Sequence, residues 1–278
     1  MELTANRAKI AIQGYLEQYT SSYQAMMEKL SSGSKYNSIG ENPVDYCQSA
    51  RLKSGIAANT NIIQNVALGN DLLSIAEGAE ENVSSNIATI RDLCLQAANG
   101  TYTAEDKDKI LSDIRGKLSY IDLAAQSTTF AGKTLLDGTC TSLPIQISST
   151  ANDKINIASS LLDVRTTSLG IDLAPTITGA NWTTSDIYTY IDKLDLATNS
   201  LTNSVTNIGN YSTRLDNSTI KLTKMNENLT ELNSSISDTD VAETSADVVR
   251  FQILQESSVT ILAQTNQMAA SVYSLLNG

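Results

Sequence analysis

Between residues 185 and 238 an apolar residue returns every seventh position without a miss: Ile187, Leu194, Leu201, Ile208, Leu215, Leu222, Leu229 and Ile236. A seven-residue recurrence keeps one stripe of an α-helix turned toward a partner helix, the seam of a coiled coil. Polar residues occupy many companion positions (Thr198, Ser212, Thr219, Asn226, Asn233), so the stripe is narrow. At ~1.5 Å per residue such a helix runs ~75 Å, which predicts a rod and not a globule. Only Pro43, Pro144 and Pro175 interrupt 278 residues, leaving long stretches without a helix breaker.

Both ends of the chain repeat the pattern. Leu254, Ile261, Met268 and Leu275 form one seven-spaced column, Leu262, Ala269 and Leu276 its neighbour, and Phe251, Val259 and Val272 widen the face. Near the start, Ile12, Tyr19 and Met26 share one register and Leu16, Tyr23 and Leu30 the other. Amphipathic helices of this kind are marginal alone in water, so the two ends are expected to pack together with apolar surface left over for neighbours. Two further helices are predicted. Residues 43–98 carry Val83, Ile87, Ile90 and Cys94 at alternating four and three spacing, with Asn99-Gly100 as the stop. Residues 104–127 carry Ile110, Ile114, Leu118 and Ile121, opened by the capping box Thr103-Ala104-Glu105-Asp106.

From Gly138 to Thr184 the helical period disappears. Pro144–Ser148 and Lys154–Ile157 alternate at period two around Ala151-Asn152-Asp153, a hairpin signature. The expected fold class is mostly α: a long antiparallel helical bundle or coiled-coil rod, with paired N- and C-terminal helices and a small β-hairpin insert in mid-chain.

The residue inventory excludes most chemistry. Histidine is absent, which removes the commonest catalytic acid–base and metal ligand. Cys47, Cys94 and Cys140 cannot close a disulfide set within one chain, match no zinc spacing and read as simple thiols. No phosphate-cradling glycine loop, nucleophile triad or calcium loop is present, so no catalytic, cofactor or metal site is expected. Asp238-Thr239-Asp240 reads as the cap of the last helix. Glu77, Glu80 and Glu81 read as a solvated face, and Trp182 and Phe130 as local packing. The formal charge of −11 argues against nucleic acid as a partner. No apolar run approaches the ~20 residues that span a bilayer, and the first residues lack the layout of a cleaved signal peptide.

Several motifs lie in the order found in bacterial flagellins, and the chain resembles that family over both ends and most of its length. They are Leu30-Ser31-Ser32-Gly33 with Asn37-Ser38 and Glu41-Asn42; Asn65, Gly69 and Ala76–Ala79; Ile90–Thr101, containing Arg91, Leu93, Asn99 and Gly100; Phe130–Gly138; and Leu169-Gly170. Later come Thr213-Arg214-Leu215, Ser237–Glu243, Ile253-Leu254-Gln255, Leu262–Gln267 and Leu275-Leu276. The opening residues, the cysteines and Glu80, at a position usually apolar, depart from the family pattern.

The resemblance implies a structural subunit that self-assembles into the flagellar filament for swimming. Its terminal helices would form the inter-subunit core and order only on assembly. It implies five segments: an N-terminal core helix at 1–35, inner rod helices at 36–137, a short outer β/loop segment at 138–184, the long rod helix at 185–238 and a C-terminal core helix at 239–278. Large outer domains are essentially absent. The inter-subunit core would comprise Ile12, Leu16, Tyr19, Tyr23, Met26 and Leu30 with Leu254, Ile261, Leu262, Met268, Leu275 and Leu276. Further partners implied are an export chaperone, the filament cap and hook-junction proteins, with an extracellular location reached by type III export without a cleaved signal peptide. Glu41-Asn42-Pro43-Val44 and Ala50-Arg51-Leu52 also resemble the hook–filament junction protein, a flagellin-like relative, which stands as the alternative. A non-polymerising coiled-coil surface protein is a more distant one. The Toll-like receptor that senses flagellins grips positions matching Thr89, Leu93 and Asp113. The family's key arginine is Thr89 here, which implies weak or no recognition.

Overall fold

The structure is a computed structural model and describes residues 2–150 and 152–276, with side-chain surroundings for 6–268 except 151 and 159. In chain order the elements are α1 (Glu2–Ser32), α2 (Pro43–Ala97), α3 (Ala104–Ser127), β1 (Thr129–Phe130), β2 (Lys133–Thr134), β3 (Pro144–Gln146), β4 (Lys154–Asn156), a 3-10 turn (Ala158–Ser160), α4 (Thr166–Leu169), α5 (Thr184–Ser237) and α6 (Val241–Leu276). They form two compact units, residues 57–226 and residues 1–56 with 227–278. The division cuts α2 and α5 internally.

In unit 57–226 the heptad column is the floor of the core. Ile187, Leu194, Leu201, Ile208, Leu215 and Leu222 of α5 are buried in one cluster with Val66, Leu73, Val83, Ile87, Ile90 and Cys94 of α2 and Ile110, Ile114, Leu118 and Ile121 of α3. Polar rungs between α2 and α5 set the direction: Asn70 Nδ2 donates to Asp216 Oδ1 (2.7 Å), Arg91 Nε donates to Asp195 Oδ1 (2.8 Å), and Ser204 Oγ and Glu80 Oε1 are hydrogen-bonded at 2.8 Å. The α5 numbers fall as the α2 numbers rise, so the helices run antiparallel. At Gly69 an added Cβ would sit 3.3 Å from Leu215 and from Ile145, so the absence of a side chain lets β3 settle against both helices.

The N-terminus of α3 carries the expected capping box, with Thr103 and Asp106 exchanging side-chain-to-backbone bonds. An equivalent pair, Thr183 and Asp186, opens α5. Each leaves fewer orphan N–H groups at the helix start. The expected stop after α2 takes a different form. The helix ends at Ala97, and Gly100 is not among the left-handed glycines, which are Gly33, Gly132, Gly138 and Gly170. Instead Asn99 Oδ1 accepts from the Thr101 N–H (3.2 Å), a side-chain-closed turn that needs no positive φ.

The mid-chain hairpin is present: β3 and β4 pair antiparallel with Ile145 opposite Ile155. Ala151, expected in its turn, lies outside the described residues. A second pair, β1 with β2, was not foreseen. Its two-residue turn places Ala131 (φ 48°) and Gly132 (φ 79°) both left-handed, the geometry that matches strand twist in a tight hairpin. The segment after β4 is strapped to α3. Asp122 accepts from the Thr166 N–H and hydroxyl, Arg115 Nη2 donates to the Ile177 carbonyl (2.6 Å), and the Gly179 N–H donates to Asp108 Oδ1 (2.6 Å). A Cβ on Gly179 would collide with the Ala104 carbonyl, so only glycine allows this approach.

Candidate assembly surface

Unit 1–56/227–278 is built on α1 packed against α6. Gly33, left-handed at φ 67°, ends α1 and turns the chain so that the Lys35 N–H donates to the Ser237 carbonyl (2.6 Å) and the Thr239 N–H to the Gly33 carbonyl (3.0 Å). Asp240 Oδ1 then accepts from the Ala242 (2.8 Å) and Glu243 (3.1 Å) N–H groups, so the acidic run is the cap of α6. Ser49 Oγ donates to Asn233 Oδ1 (2.8 Å), tying the start of α2 to the end of α5 within this unit. Leu229 and Ile236, the last members of the heptad column, are half-buried here.

The side chains of α6 that are best covered are small ones. The best-covered column on α6 is Thr244, Phe251, Ser258 and Thr265: the three hydroxyl residues are buried and Phe251 half-buried. Ser258 and Thr265 donate to the Leu254 (2.7 Å) and Ile261 (2.8 Å) carbonyls one turn back, so their hydroxyls are satisfied inside the helix. Gln255 Nε2 reaches Thr20 Oγ1 (3.1 Å) across the pair. Larger groups flank this column. Ile12, Leu16, Tyr19, Tyr23, Met26 and Leu30 of α1 and Leu254 and Leu262 of α6 are all half-buried, and none is enclosed. Ile261 (49%) and Met268 (62%) are exposed. Leu275 and Leu276 have side chains outside the described residues.

Outward-facing apolar groups are therefore numerous. On α1 they include Ile10 (61% exposed), Tyr15 and Met27, and on α6 Val249, Ile253, Val259, Ile261 and Met268. Among its described side chains α1 has no buried residue. Isolated exposed apolar residues are ordinary, whereas apolar groups recurring along two paired helices are the kind of feature that interaction surfaces carry.

The motif positions lie elsewhere. Arg91 and Leu93 are half-buried, Arg91 in its ion pair with Asp195. Asn99, Gly100, Asp113 and Thr89 are exposed, and Thr89, Leu93 and Asp113 border a shallow groove with Tyr120. Arg214 is exposed and stacks over the Tyr211 ring at 5.2 Å. Cys47 is exposed, Cys140 half-buried, and Cys94 buried, where loss of solvation pushes its thiol up to about 12. Among the described residues no group of acidic or thiol side chains could hold a metal, and no helix is long and apolar enough to cross a membrane.

One expectation is overturned. Glu77 is half-buried and Glu81 exposed, but Glu80 is fully buried between α2, α5 and the 3-10 turn. It is not part of a solvated face, because it continues the stripe Val83, Ile87, Ile90, Cys94 one step back, on the core side of the helix.

Residues 4–141 match the bacterial flagellin N-terminal helical region, and residues 191–276 match the bacterial flagellin C-terminal helical region. This chain belongs to the bacterial flagellin family. Among similar proteins, the flagellin of Listeria monocytogenes is 26% identical, with all of both chains covered. The flagellar filament 33 kDa core protein of Treponema phagedenis is 29% identical over 99% of this chain and all of its own. A putative flagellar hook-associated protein from Vibrio parahaemolyticus shares the fold, with a TM-score of 0.59 over 71% of this chain and all of its own, at 15% identity. The flagellin described here is thus a structural subunit of the flagellar filament, an exported, extracellular protein and not an enzyme.

Proposed function

We propose that this flagellin polymerises through the outward faces of α1 and α6, and that Ile12, Leu16, Tyr19, Tyr23, Met26, Leu30, Leu254, Ile261, Leu262, Met268, Leu275 and Leu276 belong to that inter-subunit core. The observation that carries the reading is the absence of any buried residue on the described part of α1 while it is paired with α6. The pair covers a column of small hydroxyl residues and leaves larger apolar groups for other copies. Each Leu or Ile fully buried by a neighbour contributes ~1.5–3 kcal/mol, so a few per subunit drive association. A head-to-tail contact that does not close on itself grows into an open filament. Residues 1–35 and 239–278 are then the assembly segments, 36–137 and 185–238 the rod, and 138–184 the short outer segment. The further partners are a second copy of the chain, an export chaperone, the filament cap and hook-junction proteins.

Ile253 and Ile261 are exposed on α6, so replacing both with Glu leaves the isolated chain folded. Sedimentation and electron microscopy of the I253E/I261E protein should show loss of polymer with an unchanged melting curve. Polymer at the wild-type yield would sink the proposal. Unlimited growth of the wild-type chain also separates a filament subunit from a junction subunit, which stops after a fixed layer. Recognition by the flagellin-sensing Toll-like receptor is proposed to be weak, since exposed Thr89 offers no charge. Thr89→Arg should raise the response of receptor-bearing reporter cells, and no change would contradict that proposal.

A further inference from the structure

We propose that Glu80 is carried as a neutral carboxylic acid in folded unit 57–226, and that loss of its proton on the alkaline side loosens the joint between α2, α5 and residues 158–162. The geometry rests on one hydroxyl. Ser204 Oγ lies 2.8 Å from Glu80 Oε1 and 3.1 Å from the Ser160 carbonyl oxygen. Ser204 has a single proton to donate, and a carbonyl can only accept. Both contacts are full hydrogen bonds when Glu80 supplies the second proton: its O–H donates to Ser204 Oγ, and the Ser204 O–H donates to the Ser160 carbonyl. Ionised Glu80 takes the Ser204 proton for itself, and the Ser160 carbonyl loses that donor. Glu80 Oε2, buried and without a hydrogen-bond partner, then shares the negative charge.

Among the described residues no cation pairs with that charge. On α2 the near neighbour is Glu77, another acid. On α5 no Asp, Glu, Lys or Arg occurs between Asp195 and Arg214, the titratable group there being Tyr211, and residues 155–162 carry none. At the margins Asp195 pairs with Arg91 and Asp163 with Arg165, while Asp122 is bonded to Thr166. Among the described residues, no lysine or arginine forms an ion pair with Glu80. Burial accordingly pushes its carboxyl from the ordinary 4.5 up to about 7, with Glu77 adding to the rise and the Ser204 hydroxyl and Leu162 N–H opposing it.

A carboxyl raised in the folded state leaves stability untouched below its ordinary value. It removes stability as pH climbs from there to about 7, above which the loss is complete. The window is unusually clean because the chain has no histidine. Trp182, the sole tryptophan, is buried in the same unit and reports its unfolding by fluorescence. In denaturant titrations of the full chain, the folding equilibrium constant should fall about thirtyfold from pH 5.5 to pH 8. Glu80→Gln, whose amide can donate to Ser204 at any pH, should flatten that fall. An infrared band of a protonated carboxyl at pH 6.0 should vanish in the E80Q protein, a readout that does not depend on its stability. Ser204→Ala removes the donor to the ionised form and should extend the fall to higher pH. Parallel pH profiles for wild type and E80Q, or an unchanged carboxyl band, would overturn the proposal.

Discussion

Burial at single positions on α5 decides which side chains hold unit 57–226 together. Ile208 is fully buried and Ile220, on the same helix, is 67% exposed. Ile208→Ala should cost about 2–5 kcal/mol of stability, whereas Ile220→Ala should stay within about 0.5 kcal/mol of wild type, both read by chemical denaturation. Gly179 tests backbone approach instead of core volume. Its Ala variant must push the loop off the Ala104 carbonyl and should cost about 1–3 kcal/mol. The buried column Ile187–Leu222 was legible because a strict seven-residue spacing has few other physical causes. Glu80 was not, because a carboxylate on a helix is ordinarily solvated. Its signal was nevertheless present: the alternating four and three spacing of Val83, Ile87, Ile90 and Cys94 reaches Glu80 when continued backwards. The charge hid a core position.

Among elements, helices were readable and their ends and pairings less so. The capping box at Thr103 follows from residue types alone, and Thr103→Ala should lower stability by about 1 kcal/mol in the same titrations. The β1–β2 turn escaped notice because Ala131 adopts a left-handed conformation that alanine rarely takes, imposed by the strands on either side. The face of α6 that meets α1 was also hidden. Reading apolar columns picks out Ile261 and Met268, yet the buried groups on α6 are Thr244, Ser258 and Thr265, of which Ser258 and Thr265 donate to carbonyls one turn back and Thr244 bonds to the Thr239 hydroxyl. That arrangement sends the larger groups outward. Deleting the last 25 residues should abolish polymer while the Trp182 unfolding transition of unit 57–226 persists.

For the whole molecule, charge and apolar surface act against each other. Each subunit carries a net −11, which works to keep copies apart, while the exposed apolar groups of α1 and α6 are proposed to draw them together. Screening weakens the first term, since the Debye length falls from about 30 Å at 0.01 M to about 8 Å at 0.15 M salt. Polymer yield measured by sedimentation should therefore rise from low to moderate salt. A fall would mean that specific ion pairs between subunits outweigh net repulsion. On the proposed mode of assembly, the outer faces of α1 and α6 are buried by other copies. Amide hydrogen exchange of the monomer and the filament compares those faces directly. Strong new protection concentrated in residues 2–32 and 241–276 on assembly is the expected result, and protection that is unchanged there, or gained chiefly in 138–184, would contradict it.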